Sequence, residues 1–204
     1  MNVQLFTAFL LITIVLIVMP GPIVTLVIST GATRGTRAAL TTVAGTTLGN
    51  AMLLAAIALG LSWVHAHADL LFNALRWTGA AYLVWLGVQM WRRAGEESER
   101  LKETGRARFL RGLIVALSNP KTIVFFTAFL PQFIDSRLPA GPQLAAMCVA
   151  SVLIAGASDC AWAIAAGMGR AWFMKPARVK LLGRLSGTVL IGGGLWLSLA
   201  RRTS

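Results

Sequence analysis

Residues 5–28 read LFTAFLLITIVLIVMPGPIVTLVI, an apolar run with no charged residue that is interrupted at Pro20-Gly21-Pro22. About 20 apolar residues suffice to cross a bilayer, so the run predicts a membrane span with a break deep inside it. Proline has no N–H to donate and crowds the preceding turn. In lipid no water replaces the lost bond, and irregular backbone persists only where protein packs it or a wet cavity meets it. The break therefore predicts a transport pathway. Pro131-Gln132-Phe133 interrupts a second apolar run at an offset of 111 residues from Pro20, and Gly45 pairs with Gly156 at the same offset. The chain reads as two copies of one unit.

Composition agrees. Of 204 residues 56% are hydrophobic and 13% charged, with a mean hydropathy of +0.72, which excludes a soluble globular domain. Six apolar stretches have the length to span, at roughly 5–28, 38–62, 70–91, 112–134, 142–168 and 181–200. The expected fold is an all-α integral membrane protein of six transmembrane helices, two inverted three-helix repeats with Pro-broken helices one and four. One transporter domain fills residues 1–204: repeat one to about 91, a loop at 92–111, and repeat two from about 112. Three spans per copy is an odd number, so the second copy enters the membrane from the opposite side, a symmetry suited to alternating access. No Lys or Arg precedes the first run and no small-residue cleavage site follows it, so it reads as a retained span rather than a signal peptide.

A net charge of +12 raises nucleic acid as a partner, but the 19 basic residues concentrate in alternate loops. Arg34 and Arg37, the seven from Arg92 to Arg111, and Arg170, Lys175, Arg178, Lys180 and Arg184 fall on one side; Arg137, Arg201 and Arg202 fall on the other. That asymmetry is the positive-inside signal of a multi-pass protein with both termini outside, which the family resemblance given below makes periplasmic. Partners are then a small-molecule substrate, protons and membrane lipid, with a homo-oligomer allowed and nucleic acid excluded.

Catalytic and metal chemistry find little material. Cys148 and Cys160 stand twelve residues apart on one expected helix, about 18 Å at 1.5 Å per residue, too far to bridge. His65-Ala66-His67-Ala68-Asp69 lacks further ligands nearby and reads as loop. No metal, cofactor or catalytic residue is expected, and the chain reads as no enzyme. Gly45 with Gly49, and Gly156, read as helix-packing positions.

Asp159 is the acidic residue placed well inside a span, and such a carboxylate is a functional-site candidate by default. Burial penalises its charged form, which suits it to proton coupling. Asn119-Pro120-Lys121 opens span four from the inner side, where Lys121 could reach a cavity or extend to the inner surface.

These residues together resemble the LysE/RhtB family of bacterial amino-acid exporters over nearly the whole chain. Pro20-Gly21-Pro22, Gly45, Gly49 and the stretch GAAYLVWLG at 79–87 resemble its first half. Asn119-Pro120-Lys121, Phe125-Phe126, Pro131-Gln132-Phe133 and Asp159 resemble its second. Ala38 departs where relatives often carry glycine. The resemblance implies an inner-membrane exporter of amino acids or their derivatives driven by the proton-motive force; a passive small-solute channel or a metal-ion exporter is the alternative. Its expected substrate-binding residues are Pro20, Gly21, Pro22, Asn119, Pro120, Lys121 and Asp159. A half-helix starting near Pro22 would bind the substrate carboxylate on free N–H groups, while carbonyls upstream of the break or Asp159 would meet the ammonium.

Overall fold

The computed structural model describes residues 2–65 and 104–173 continuously and scattered positions between 77 and 92 and between 175 and 195. The expected spans 70–91 and 181–200, the 79–87 motif and the side chains of the 65–69 segment lie largely or wholly outside the described residues. Described helices are α1 (Val3–Val18), α2 (Pro22–Arg34), α3 (Thr36–His65), α4 (Gly105–Leu117), α5 (Pro120–Phe129), α6 (Ala140–Met168) and the short α7 (Arg170–Phe173); a 3-10 turn at Leu130–Phe133 extends α5. Among the described residues three helical stretches are long and apolar enough to cross a membrane, and α1 with α2, bent by 44° at the break, makes a fourth.

Each terminus has a local cause. Asn2 caps α1 by accepting from the N–H groups of Gln4 and Leu5. The helix stops at Val18 because Pro20 and Pro22 have no N–H for the carbonyls of Leu16 and Val18, four residues earlier. Pro22 then occupies the first position of α2, where its fixed φ suits a helix start. Gly35, at φ 89°, turns the chain from α2 into α3 through a conformation that side-chain-bearing residues avoid.

Span four differs from its sequence-based expectation. It runs over Gly105–Phe133, starting seven residues before position 112. Thr104 caps α4 through the Ala107 N–H, and no proline follows until Pro120, so Arg106, Arg108 and Arg111 ride on the helix instead of lying in a loop. Asn119-Pro120-Lys121 consequently falls at mid-span, not at its inner start. Pro131 does not break the span's interior either; it sits in the closing 3-10 turn, where a missing N–H disturbs least. The mid-span break in this stretch is therefore at Asn119-Pro120, and Pro131, paired with Pro20 by the sequence offset, lies at the end of the span instead of inside it.

Contacts fix the directions of the helices. A Cβ on Gly45 would overlap the Phe109 carbonyl, and one on Gly49 would come within 2.7 Å of Leu113 O and Ala116 Cβ, so α3 and α4 run parallel in close contact. Both glycines lie directly against α4. Gly156 faces Thr47, Gly167 meets Thr36, and the Cys148 thiol points to the Leu54 carbonyl, so α6 runs antiparallel to α3. One end of the layer gathers Arg34, Arg37 and Arg170, whose guanidinium donates to the carbonyls of Ala32 and Thr33. At the other end Asn2 and Arg137 both bond the Asp135 carboxylate, and Gln143 bonds its backbone. The Arg137 side chain holds that carboxyl well below the ordinary carboxylate range. Just inside it Phe9 packs edge-on against Phe133 and Phe126.

Gly45→Ala should force α3 and α4 apart and cost about 1–3 kcal/mol, the usual penalty of overpacking. Thermal unfolding in detergent measures it, with Gly141→Ala as the control because a Cβ there meets nothing within 4 Å. Equal midpoints for the two variants would show that the close approach carries no stability.

Candidate substrate site

The two mid-membrane breaks meet. Pro20 frees the Leu16 carbonyl, and Lys121 Nζ donates to it at 2.6 Å and to the Met19 carbonyl at 2.9 Å. Pro22 frees the Val18 carbonyl, and the Trp162 indole of α6 donates to it at 3.3 Å. Backbone groups exposed by sequence at the end of α1 are thus met by side chains from the second half of the chain, as lipid burial requires. Lys121 lies so close over Gly21 that a Cβ there would stand 3.0 Å from its Cδ and 3.3 Å from its Nζ. Glycine in the tripeptide is explained by this contact.

Lys121 reaches Gly21 because of its own local structure. Pro120 stands at the first position of α5, Asn119 accepts the Lys121 N–H at 3.2 Å, and the Asn119 amide donates to Thr122 Oγ1 at 2.8 Å. That cap turns the first turn of α5 inward. Lys121 is 7% exposed, so it reaches the cavity and not the inner surface.

Around this junction lies a cavity of about 50 Å³, room for a few water molecules at roughly 10–15 Å³ each and less than an amino acid needs. The start of α2 faces it through Gly21, Ile23 and Val24; α5 contributes Asn119, Lys121 and Thr122; α3 contributes Asn50; and α6 contributes Ser151 and Asp159. Within α2 the first backbone donor is Thr25, bonding Gly21 O at 2.8 Å, so the N–H groups of Ile23 and Val24 precede the helical ladder, as the first N–H groups of any helix do.

Asp159 is 3% exposed and bonds Thr46 Oγ1 at 3.1 Å. It lines the cavity with Lys121 but forms no direct ion pair with it; the ion pair among the described residues is Arg137–Asp135. Thr46 Oγ1 also lies 3.1 Å from the Val43 carbonyl. A hydroxyl has one proton and two lone pairs. Facing an ionised Asp159 it donates to the carboxylate; facing a protonated one it accepts from Asp159 and donates to Val43. Thr46 can therefore answer either state of the acid with one hydrogen bond.

Of the expected site residues, Gly21, Asn119, Lys121 and Asp159 line one cavity, and Pro20, Pro22 and Pro120 act on it by setting helix ends. One expectation changes: the Leu16 and Met19 carbonyls are engaged by Lys121, so they do not wait for a substrate ammonium. Sequence reading missed Thr46, Asn50, Thr122, Ser151 and Trp162. Thr46 and Asn50 carried a signal, two polar residues one helical turn apart inside an apolar span. Among the described residues no group of three His, Cys, Asp or Glu side chains comes together.

A family model described as LysE type translocator matches residues 14–201. An uncharacterized membrane protein of Vibrio cholerae is 32% identical over 98% of this chain and 100% of its own length. The homoserine/homoserine lactone efflux protein of Salmonella typhimurium is 33% identical over 98% of this chain and 99% of its own. The leucine efflux protein of Klebsiella pneumoniae is 33% identical over 64% of this chain and 63% of its own. No solved structure matches the chain.

Proposed function

The chain belongs to the LysE family of membrane translocators, and from that premise we propose that it exports amino acids or amino-acid derivatives across the bacterial inner membrane by proton antiport, without covalent catalysis. The observation that carries the proposal is the meeting of two broken helices at Lys121 in a cavity that also holds Asp159. A zwitterion needs a cationic partner for its carboxylate and an anionic one for its ammonium. Lys121 and the leading N–H groups of α2 supply the first, and Asp159 supplies the second. Proton and ammonium then compete for one carboxylate, which couples outward substrate movement to inward proton movement.

Six spans in inverted repeats follow in the same reading. The apolar stretches 70–91 and 181–200 have the length of spans in this reading. The broken spans α1–α2 and α4–α5 then correspond, each with a proline at the first position after its break, and α3 and α6 correspond as antiparallel partners. Arginines at the α2–α3 end mark the cytoplasm, which puts Asn2 and Asp135 on the periplasmic side. Access to the cavity would then alternate between the two sides by rocking of one repeat against the other.

Counterflow in proteoliposomes with a panel of labelled amino acids tests the proposal. Exchange of at least one amino acid and its accumulation under an imposed pH gradient are expected. Flux indifferent to pH would favour a passive channel, and flux of metal ions without amino acids would favour a metal exporter.

A further inference from the structure

Asn50 has a buried side chain with an unanswered hydrogen-bonding group. It is 6% exposed, it lines the cavity, and its Oδ1 is buried with no donor. Buried polar atoms are nearly always paired, and an exception calls for a ligand or a water. Its position gives the unpaired group a direction. Thr46 and Asn50 stand one turn apart on the same face of α3, and Thr46 holds Asp159. Ser151, on α6, also lines the cavity and has its proton engaged by the Met147 carbonyl at 2.7 Å, which leaves its oxygen as an acceptor.

We propose that Asn50, with Asp159 and Ser151, forms a receptor for a primary ammonium group, so that Asn50 is a specificity-determining residue for substrates with a free amino group. This rests on the exporter reading above. A primary ammonium carries three N–H donors, and three residues that line the cavity carry acceptors: Asp159 its carboxylate, Asn50 its Oδ1 and Ser151 its Oγ. An N-acyl group removes the charge and leaves one donor, so Asp159 loses its ion-pair partner. An N-methyl group replaces one donor with carbon, which one of the acceptors then meets unpaired. Lys121, from α5, is the other charged group at the cavity and repels an ammonium, which orients the substrate with its amino end toward Asn50.

Counterflow of a transported amino acid, with its N-methyl and N-acetyl derivatives as competitors, tests the receptor in wild type and in Asn50→Leu, an apolar side chain of similar size. Asn50→Ala serves as a second variant, and both are compared at equal amounts of monodisperse protein. Wild type should prefer the free amine, with the N-acetyl compound competing poorly. In either variant the apparent KM for the free amine should rise about tenfold to a hundredfold, as loss of a hydrogen bond to a charged group does. The maximal rate should change less than the KM, and the preference over the N-methyl compound should narrow. An unchanged KM and an unchanged order of competitors in both variants would overturn the receptor while leaving the exporter reading in place. A wild type that exchanges no amino acid would overturn both.

Discussion

Replacing Lys121 by methionine is expected to abolish transport and to lower the stability of the detergent-solubilised protein. The variant keeps much of the side chain's length and apolar stem but removes the ammonium that donates to the Leu16 and Met19 carbonyls. Hydrogen bonds to charged groups contribute about 1.5–3 kcal/mol each, and the two carbonyls lose that donor together. A loss of about a hundredfold in transport rate corresponds to 2.7 kcal/mol and is a conservative expectation. Lys121→Arg restores the charge but has to fit a planar fork against Gly21, where a Cβ would already stand 3.0 Å from the lysine chain. It should regain part of the stability and little of the transport. Thermal unfolding and counterflow, run on the same preparations, measure the two effects. Wild-type values for Lys121→Met in both would remove the lysine from the centre of the mechanism.

The second large effect is expected from Asp159→Asn. Asparagine keeps the size of the side chain and an oxygen to accept from Thr46 Oγ1, so the α3–α6 contact at this point survives. What disappears is titration, and with it one half of the competition between proton and substrate. Under an imposed pH gradient the variant should bring substrate to equal concentrations on both sides and no further. Substrate-for-substrate exchange needs no net proton movement and should persist, with a raised KM because the ammonium has lost its anionic partner. Accumulation with wild-type pH dependence in Asp159→Asn would assign the coupling proton to another group.

The two experiments separate roles that meet in one cavity. Lys121 acts on the backbone as well as on any substrate, so its loss reaches folding and transport together. Asp159 is held by a hydroxyl that is satisfied in either protonation state, so its loss reaches coupling and leaves the helices where they were.

Much of this was legible in the chain. Long apolar runs, basic residues in alternate loops and Pro20-Gly21-Pro22 inside an uncharged stretch specify a membrane protein with a broken first span, because bilayer thickness and the missing proline N–H act locally and depend on no partner. The acidic residue in span five was visible for the same reason: a lone carboxylate among apolar side chains stands out wherever the helix packs. Pro131 misled because a proline carries the same cost on paper anywhere in a helix, while its consequence depends on whether it falls inside the span or in the turn that closes it. The true second break, at Asn119-Pro120, looked like a span terminus because the arginines before it suggested a loop.

Sequence by itself thus determined that carbonyls at the end of α1 are freed at Pro20 and Pro22, and that a carboxylate is buried in α6. Only the tertiary structure decided what meets them. Lys121 is more than a hundred residues from Leu16, Trp162 is farther still from Val18, and Thr46 and Asn50 meet the Asp159 cavity because α3 crosses α6 where Thr47 faces Gly156. No local periodicity encodes such pairs; they follow from close helix approach at small residues, which brings polar groups together in a medium where leaving them unpaired is costly.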